Sequence, residues 1–247
     1  MRVVMISDVH AAGPDDPRQA ALEAFLDALQ ADRLYLLGDV FHHWWGFRAG
    51  TLPEYAGVCR ALRALRQRGV GLVMVPGNHD FRAGPFFEDE LGAEVRPAHR
   101  VELDGSAFFL AHGDEADSSP GYRLTRAALR GRAFATLMER LGPEQGGRLL
   151  RGLAGASRDR PASQAALVEA QRVWAQARVD EGARVVALGH SHAPGVTALV
   201  GGSLYNLGDW RDGPRWLEVE DGQPRLCGPP TGPQASTRAS VSGSSSS

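Results

Sequence analysis

The sequence has no lysine at all, so every basic side chain other than histidine is an arginine. Its two cysteines, Cys59 and Cys227, have neither the spacing of a metal site nor that of a disulfide framework, and nothing points to an oxidising compartment. No apolar run reaches the length of a transmembrane helix, and the chain opens directly into a predicted strand rather than a signal peptide. These absences predict a cytoplasmic protein with at most peripheral membrane contact.

Positive charge is concentrated in one segment of an otherwise acidic chain. The formal net charge is −2, so the overall field demands neither nucleic acid nor an anionic membrane as a partner. Between Ser118 and Ser163, however, nine arginines stand against three acidic residues, a local charge of +6 that leaves −8 for the rest. The 247 residues, 43% of them hydrophobic, suffice for one sizeable core with room for a single insertion.

Hydrophobic periodicity predicts an α/β fold. The first third of the chain has a βαβαβ order, with strands at Arg2–Ile6, Arg33–Leu37 and Val70–Pro76 and helices at Arg18–Ala31 and Pro53–Arg68. Later strands are predicted at Val101–Leu103, Ala107–Ala111, Arg184–Leu188, Val196–Val200, Leu204–Leu207 and Arg215–Val219. A βαβαβ unit followed by a mainly antiparallel sheet predicts a two-sheet sandwich with helices outside.

A helical insertion is predicted at about 118–180. Apolar residues recur at helical spacing from Leu124 to Leu141, and Gly142-Pro143 ends that stretch. The leucines between 149 and 153 predict a short second helix, and Ser163 is expected to cap a third. The Pro-, Gly- and Ser-rich tail at 228–247 is predicted to be disordered, which leaves one domain at 1–227 carrying the insertion.

Polar side chains follow five of the predicted strands at the point where each strand ends. They are Asp8 and His10, then Asp39, then Asn78, His79 and Asp80, then His112, and finally His190 and His192. Any one of these groups alone is better explained as an ordinary polar turn. Together they place five of the eight histidines at the carboxyl ends of strands, where open α/β sheets bind ligands.

The donor atoms in this set match a two-metal site: two carboxylates, four imidazoles and one amide oxygen. Imidazole with carboxylate suits manganese, iron, zinc, cobalt or nickel, and the lack of cysteine ligands argues against structural zinc. Two divalent ions about 3.5–4 Å apart lower the pKa of water towards neutrality and clamp a phosphoryl oxygen during in-line attack. We therefore predict a dimetal hydrolase of phosphoesters.

The same residues, taken in order, resemble the calcineurin-like metallophosphoesterase superfamily. The matching blocks are Asp8-x-His10, Gly38-Asp39, Gly77-Asn78-His79-Asp80, His112 and Gly189-His190-Ser191-His192. The resemblance implies a four-layer αββα sandwich in which Asp8, His10 and His192 hold the first metal, Asn78, His112 and His190 hold the second, and Asp39 bridges them. It further implies that His79 protonates the leaving oxygen or stabilises the transition state, and that Asp80 orients His79.

A finer resemblance covers most of the chain. The block from Gly38 to Gly46, and His112-Gly113-Asp114 followed by Tyr122 and Arg126, are similar to the family of UDP-2,3-diacylglucosamine pyrophosphohydrolases of lipid A biosynthesis. In that family the insertion is a lid that encloses acyl chains over the metal site. The resemblance implies water attack on the α-phosphorus of UDP-2,3-diacylglucosamine, giving UMP and 2,3-diacylglucosamine 1-phosphate, usually with two manganese ions.

The implied partners are a UDP-linked lipid or nucleotide substrate and, transiently, the inner leaflet of the cytoplasmic membrane, without nucleic acid. Substrate contacts are predicted for Tyr122, Arg123, Arg126, Arg158 and Trp44. The lid arginines would meet a diphosphate bidentately, and the apolar residues Leu124, Phe134, Leu137, Met138 and Leu141 would line an acyl groove. A simpler interpretation stays open, in which the apolar stripe and Trp44 are core and the arginines solubilise a surface.

Two departures leave the substrate open. His79 stands where better-known members of that finer family carry arginine, and Phe47 and Arg48 replace an acidic run after Gly46. A phosphodiesterase or phosphatase acting on soluble nucleotides or other phosphoesters is therefore an alternative. The net charge of −2 disfavours a DNA nuclease, and the presence of every ligand disfavours a non-enzymatic scaffold. The sequence does not indicate the oligomeric state.

Overall fold

The computed structural model describes residues 1–117, 120–156 and 164–230, with backbone only for 120, 122, 123 and 154–156. The strands in these residues are β1 Arg2–Ile6, β2 Arg33–Leu36, β3 Trp44–Trp45, β4 Gly71–Met74, β5 Asp80–Arg82, β6 Glu94–Val95, β7 Ala98–Leu103, β8 Ser106–Ala111, β9 Val185–Leu188, β10 Gly195–Leu199, β11 Gly202–Asn206, β12 Trp216–Glu220 and β13 Gln223–Cys227. The α-helices are α1 Pro17–Ala28, α2 Ala56–Gln67, α3 Pro120–Leu129, α4 Arg132–Ala156 and α5 Gln164–Asp180. Single 3-10 turns occupy Pro53–Tyr55 and Asp114–Ala116, and a π-helical turn occupies Phe86–Glu90.

The first sheet has six strands in the order β13-β12-β1-β2-β4-β6. Its β1, β2, β4 and β6 are parallel neighbours, as the predicted βαβαβ unit requires, and α1 and α2 make the crossovers. Asp16 starts α1 by accepting a hydrogen bond from the Arg18 backbone N–H, and Pro17 stands in the first turn, where a missing N–H costs nothing. The carboxyl ends of β1, β2 and β4 therefore lie side by side at one edge of this sheet.

The second sheet has five strands in the order β10-β11-β9-β8-β7, and it corrects the predicted topology. Its central pairs, β8 with β9 and β9 with β11, are parallel, so the sheet is mixed rather than mainly antiparallel. The parallel pairing of β8 and β9 follows from the long helical connection between them. The strand predicted at 215–219 leaves this sheet and pairs antiparallel with β1, because hydrophobic alternation does not specify which strand becomes the partner.

The layers follow the predicted αββα order. One core lies between the first sheet and helices α1 and α2, a second lies between the two sheets, and a third lies between the second sheet and α5. Alternation in β1 shows the arrangement: Val4 and Ile6 face the α1/α2 core, whereas Val3 and Met5 face the second sheet. All four side chains are fully buried, which is why β1 reads as a continuous apolar run.

The predicted insertion divides into two parts with different surroundings. Helix α5 buries Gln171, Ala175 and Val179 against the second sheet, so it is the outer layer of the sandwich rather than part of a lid. Helices α3 and α4 (called the lid below) project from the body after His112. The chain breaks its helix at Gly142, with φ 68° and ψ −179°, as Gly142-Pro143 predicted. The expected cap Ser163 and most of the tail at 228–247 lie outside the described residues.

The base of the lid is packed into the body. Met138 and Leu150 of α4 are fully buried in the same core as Phe47 and Leu52. Gly146 of α4 lies so close to Phe47 that a Cβ atom on this glycine would be 2.6 Å from the Phe47 ring. Within the described residues, no helix has both the length and the apolar character needed to cross a membrane.

Candidate metal centre and active site

The predicted ligands meet where five strands end, three of them parallel neighbours in the first sheet and two in the second. Asp8 and His10 follow β1, Asp39 follows β2, and Asn78 follows β4 in the first sheet. His112 follows β8, and His190 and His192 follow β9, its parallel neighbour in the second sheet. The two sheets thus contribute their carboxyl-terminal edges to one cluster, although the two groups of strands are far apart in sequence.

The backbone of five of these ligands lies in the left-handed region. The φ angles are 51° at Asp8, 50° at His10, 53° at Asp39, 67° at His190 and 55° at His192. A non-glycine residue held there costs on the order of 1–3 kcal/mol and is concentrated at functional sites. Tight turns of this kind aim successive side chains back at the strand ends.

The first cluster is formed by Asp8, His10 and His192. His192 Nε2 lies 3.3 Å from Asp8 Oδ1, and His10 Nε2 lies 3.8 Å from the same oxygen. The two Nε2 atoms are 3.2 Å apart. Asp39 Oδ2 lies 3.8 Å from His10 Nε2, so the Asp39 carboxylate stands at the boundary of this cluster.

The second cluster is formed around the other side of Asp39. His112 Nε2 lies 3.4 Å from Asp39 Oδ2 and 3.1 Å from Asn78 Oδ1. The His190 ring lies against His112, with ring centroids 5.2 Å apart. The Asp39 carboxylate therefore faces both clusters, as a bridging ligand would.

One buried carboxylate oxygen in these clusters, Asp8 Oδ1, lacks the partner that burial normally requires. Asp8 is fully buried, and its Oδ1 accepts no well-formed hydrogen bond from any residue in the described part of the chain, whereas Oδ2 accepts from Ser7 Oγ and from the His190 N–H at 2.9 Å. A buried carboxylate oxygen surrounded by imidazole nitrogens lacks a cation rather than a proton donor. Ligand atoms of Asp8, His10 and His192 all lie within 4.8 Å of one another, as do those of Asp8, Asp39 and His112. The donor set therefore fits two divalent metal ions.

The electrostatics of the ligands are those of a cation site. Burial lowers the pKa of His10 to about 3 and that of His190, helped by nearby His112, to about 4, so both imidazoles are neutral donors at neutral pH. Burial also opposes charge on Asp39, but His112, His79 and His10 outweigh it and hold the pKa of the Asp39 carboxyl well below its usual range. Neutral His10 and His190 beside an ionised Asp39 are in the protonation states that bind metal.

The other two histidines of the clusters are held differently. Burial opposes charge on both, but Asp39 and Asp8 outweigh it and raise the pKa of His112 well above its usual value, and Asp209 and Asp8 raise the pKa of His192 to about 9. These two rings therefore carry protons that a metal ion would displace on binding.

The glycine before Asn78 is required by close approach. A Cβ atom on Gly77 would lie 2.3 Å from Asp39 Oδ1 and 2.9 Å from the Asp39 backbone nitrogen. Only glycine lets the loop after β4 pass so near the Asp39 carboxylate. The Gly-Asn-His-Asp motif is therefore a packing requirement as well as a source of ligands.

His79 is held by the backbone of His42 rather than by Asp80. His79 Nδ1 lies 2.6 Å from the His42 carbonyl oxygen, and His79 Nε2 lies 4.0 Å from Asp39 Oδ2. Asp80 Oδ2 instead accepts hydrogen bonds from the backbone N–H groups of Asp39 and Gly77, at 2.8 and 3.0 Å. The orienting role predicted for Asp80 thus belongs to the His42 carbonyl, and Asp80 fixes the loop that presents Asn78 and His79.

The lid contacts the metal-site loops through two arginines. Arg130, in the turn after α3, donates through Nη2 to the Gly77 carbonyl oxygen at 2.8 Å. Arg126 Nη1 lies 3.3 Å from Asp114 Oδ2, and its Nη2 lies 3.6 Å from Glu115 Oε1. Arg126, predicted as a substrate contact, therefore stands beside the loop after His112 but is already paired with carboxylates.

The other predicted substrate contacts are placed differently. Trp44 is fully buried, stacks on Phe41 with centroids 4.5 Å apart and donates through Nε1 to the Ala83 carbonyl oxygen at 3.0 Å. It is a core residue and not a ligand contact, because an indole with no exposed surface cannot touch substrate. The side chains of Tyr122 and Arg123, and the whole of Arg158, lie outside the described residues.

Three residues that the motifs did not single out belong to the site. His42 follows Asp39 in the sequence and places its ring 5.6 Å from that of His79, Arg130 reaches the site from the lid, and Asp209 reaches it from the loop after β11. The block from Gly38 to Gly46 contained a signal for His42, since that residue lies three positions beyond Asp39. The basic insertion indicated Arg130 only as one of its arginines, and tertiary packing brings both Arg130 and Asp209 to the strand ends.

The family of this chain follows from its sequence profile. The profile of calcineurin-like phosphoesterases matches residues 1–209, which contain every ligand described above. The chain belongs to the calcineurin-like phosphoesterase family. It is a hydrolase of phosphate or pyrophosphate esters, its family implies divalent metal ions, and the Asp and His groups described above could bind such ions.

Curated relatives align with this phosphoesterase nearly end to end. It is 31% identical over 237 residues to the UDP-2,3-diacylglucosamine hydrolase of Pseudomonas fluorescens (strain SBW25), covering 89% of this chain and 92% of the relative. It is 32% identical over 238 residues to the protein of the same name from Ectopseudomonas mendocina (strain ymp), covering 90% and 95%. A solved archaeal phosphodiesterase superposes over 92% of this chain and 99% of its own, with a TM-score of 0.50 and 15% identity, which shows a shared fold alone.

Proposed function

We propose that this phosphoesterase hydrolyses the pyrophosphate bond of UDP-2,3-diacylglucosamine. Water attacks the α-phosphorus, and the products are UMP and 2,3-diacylglucosamine 1-phosphate. The observation that carries the proposal is the similarity to relatives named UDP-2,3-diacylglucosamine hydrolase, which extends over 89–90% of the chain. An alignment of that length includes the lid as well as the metal ligands, so the similarity is not limited to what all phosphoesterases share.

The arrangement of the site supports a reaction at a phosphorus atom. Asp8, His10 and His192 would hold one divalent ion and Asn78, His112 and His190 the other, with Asp39 between them. When bound, such ions supply Lewis-acid activation of water and charge neutralisation at the phosphoryl oxygens. The donor set of carboxylate, imidazole and amide oxygen suits manganese, which we propose as the native metal.

His79 has the geometry of a proton donor to the leaving group. Its Nδ1 is fixed on the His42 carbonyl oxygen, so the ring presents Nε2 to the space beside Asp39. A histidine that gives a proton to the departing sugar phosphate would neutralise the negative charge that develops as the bond to the α-phosphorus breaks.

The lid gives a reason to propose a lipid rather than a soluble substrate. Two large apolar side chains of the lid, Leu124 of α3 and Leu137 of α4, are 73% and 46% exposed, whereas Met138 and Leu150 of α4 are core. Arg130, in the turn between α3 and α4, binds the loop that carries Asn78. An acyl chain lying along α3 would therefore end beside the metal clusters, and transient contact with the inner leaflet of the cytoplasmic membrane would deliver it.

The second candidate is a phosphodiesterase or phosphatase acting on a soluble nucleotide. His79 favours it, because a histidine in Gly-Asn-His-Asp is the pattern of general phosphoesterases, whereas the lipid-cleaving family usually carries arginine there. The candidates share the metal chemistry and differ only in what the lid does. The rates at which the protein hydrolyses matched substrates with and without acyl chains therefore distinguish the two candidates.

The test is to measure the metal content of purified protein alongside UMP release from three substrates. These are detergent-dispersed UDP-2,3-diacylglucosamine, a soluble UDP-sugar without acyl chains, and a chromogenic phosphodiester. We expect the lipid to be cleaved with a far higher kcat/KM than the other two and, in isotopically labelled water, the label to enter UMP. A label in the sugar phosphate would contradict attack at the α-phosphorus, and equal rates on all three substrates would favour the soluble-substrate candidate.

A further inference from the structure

The loop after β11 is packed against the turn that carries His190 and His192. Register brings the two together, because Asn206 at the end of β11 pairs with Leu188 at the end of β9. Ser191 Oγ donates to Asn206 Oδ1 at 3.1 Å. A Cβ atom on Gly208 would lie 2.6 Å from Pro194, so only glycine permits this approach.

Asp209, the next residue, faces the side of the His192 ring that points away from the metal cluster. Its Oδ2 lies 3.4 Å from His192 Nδ1, while His192 Nε2 lies 3.3 Å from Asp8 Oδ1. Arg211 competes for the same nitrogen: its Nη2 also lies 3.4 Å from His192 Nδ1, and its Nε donates to Asp209 Oδ2. The two partners of Nδ1 favour opposite tautomers of His192.

The choice of tautomer decides whether His192 can bind metal. If Nδ1 accepts from Arg211, the ring proton sits on Nε2 and the lone pair needed at the cluster is lost. If Nδ1 donates to Asp209, Nε2 is free to coordinate. A carboxylate on the far nitrogen of a metal-bound histidine fixes its tautomer and orientation and raises its basicity.

We propose that Asp209 is a positioning residue for His192 and through it for the first metal ion. The other ring contacts described above differ, because His112 Nδ1 and His79 Nδ1 lie on backbone carbonyl oxygens, those of Leu37 and His42. His192 differs from these two in that a side-chain carboxylate, and not a backbone carbonyl, stands at its Nδ1. Asp209 therefore controls the metal affinity of one cluster without touching substrate or metal.

The test is titration of metal-free protein with Mn²⁺ alone, which does not depend on the substrate. We expect Asp209→Ala to lower the affinity for Mn²⁺ by about 10–100-fold, the usual effect of losing such a partner. The loss should fall on the same site that His192→Ala weakens. Asp209→Asn, whose amide oxygen can still accept from Nδ1, should recover part of that loss. Arg211→Gln is the matched comparison, since it removes the competing guanidinium and leaves the Asp209 carboxylate, and its Mn²⁺ affinity should not fall below that of the unmodified protein.

A double-mutant cycle separates positioning from general loosening of the loop. In a His192→Ala background, Asp209→Ala should have no further effect on Mn²⁺ affinity, because its route to the metal is gone. Equal losses in both backgrounds, or an unchanged affinity in Asp209→Ala, would overturn the proposal, as would a wild-type chain that binds no Mn²⁺. Should Asp209→Ala fail to fold, Asp209→Leu fills the space without supplying an acceptor and is read in the same way.

Discussion

His79 lies with Nδ1 2.6 Å from the carbonyl oxygen of His42, a backbone atom that follows the bridging carboxylate Asp39 by three residues. The contact turns Nε2 towards Asp39 Oδ2, 4.0 Å away, which is too far for a hydrogen bond but close to the space between the clusters. His79 is thus oriented by the strand end that supplies the metal bridge. It stands beside the metal ligands without belonging to either cluster.

Replacement of His79 should therefore separate turnover from metal binding. We expect His79→Ala to lower kcat by about 10²–10⁴-fold, the range for loss of a positioned acid, with two metal ions still bound. The measurement is kcat together with metal content by elemental analysis. His99→Ala, a change on β7 near Glu94, is the matched histidine control and should leave both unchanged. If His79→Ala loses a metal ion, the ring is a ligand and its assignment as a proton donor is wrong.

His112 should behave in the opposite way. Its ring is fully buried between Asp39 Oδ2 and Asn78 Oδ1, so His112→Ala removes a ligand of the second cluster. We expect the variant to bind less than two equivalents of metal and to hydrolyse substrate no faster than a protein-free control, with an unchanged far-UV circular dichroism spectrum. A chelator should inactivate the wild type, and added Mn²⁺ should restore it. Full activity and full metal content in His112→Ala would refute the ligand assignment.

The clustering of the candidate metal ligands could be predicted from the sequence because residue type and position agree. An aspartate or histidine directly after an apolar strand lies at the edge of the sheet, and five such strand ends define one site. Asp209 could not be predicted in this way: it reaches His192 only because β11 lies parallel to β9, a pairing that hydrophobic alternation does not specify. For the same reason, the predicted assignment of the strand at 215–219 to the second sheet was wrong.

The lid shows a second limit of sequence patterns. Apolar residues at helical spacing predicted α4 and α5 equally well, yet α5 covers the second sheet and α4 buries Met138 and Leu150 in the core of the first sheet and its helices. Periodicity identifies an apolar stripe but not the surface that covers it. Met138 is fully buried while its neighbour Leu137 is 46% exposed, so the residues predicted to line one groove have different surroundings.

The exposed lid leucines should matter only for a substrate with acyl chains. We expect Leu124→Gln and Leu137→Gln each to raise KM for detergent-dispersed UDP-2,3-diacylglucosamine by about tenfold, as the loss of one apolar contact of about 1.5 kcal/mol implies. Hydrolysis of a chromogenic phosphodiester should not change. Val173→Gln on α5, where the valine is 58% exposed, is the control for a polar change away from the lid. Equal losses on both substrates would mean that the lid does not select a lipid.

Replacement of Trp44 distinguishes a role in core packing from a role in substrate binding. The indole has no exposed surface, stacks on Phe41 and donates to the Ala83 carbonyl oxygen, so its contribution should be to stability. We expect Trp44→Ala to lower the free energy of unfolding by about 3–5 kcal/mol, measured by urea denaturation, because it leaves a large cavity in the aromatic core. Trp44→Phe keeps most of the packing and should lower stability less, with KM unchanged. Trp174→Phe on α5, where the ring is only partly buried against Phe109, should cost less still. A raised KM with unchanged stability in Trp44→Phe would instead place the indole in the substrate site.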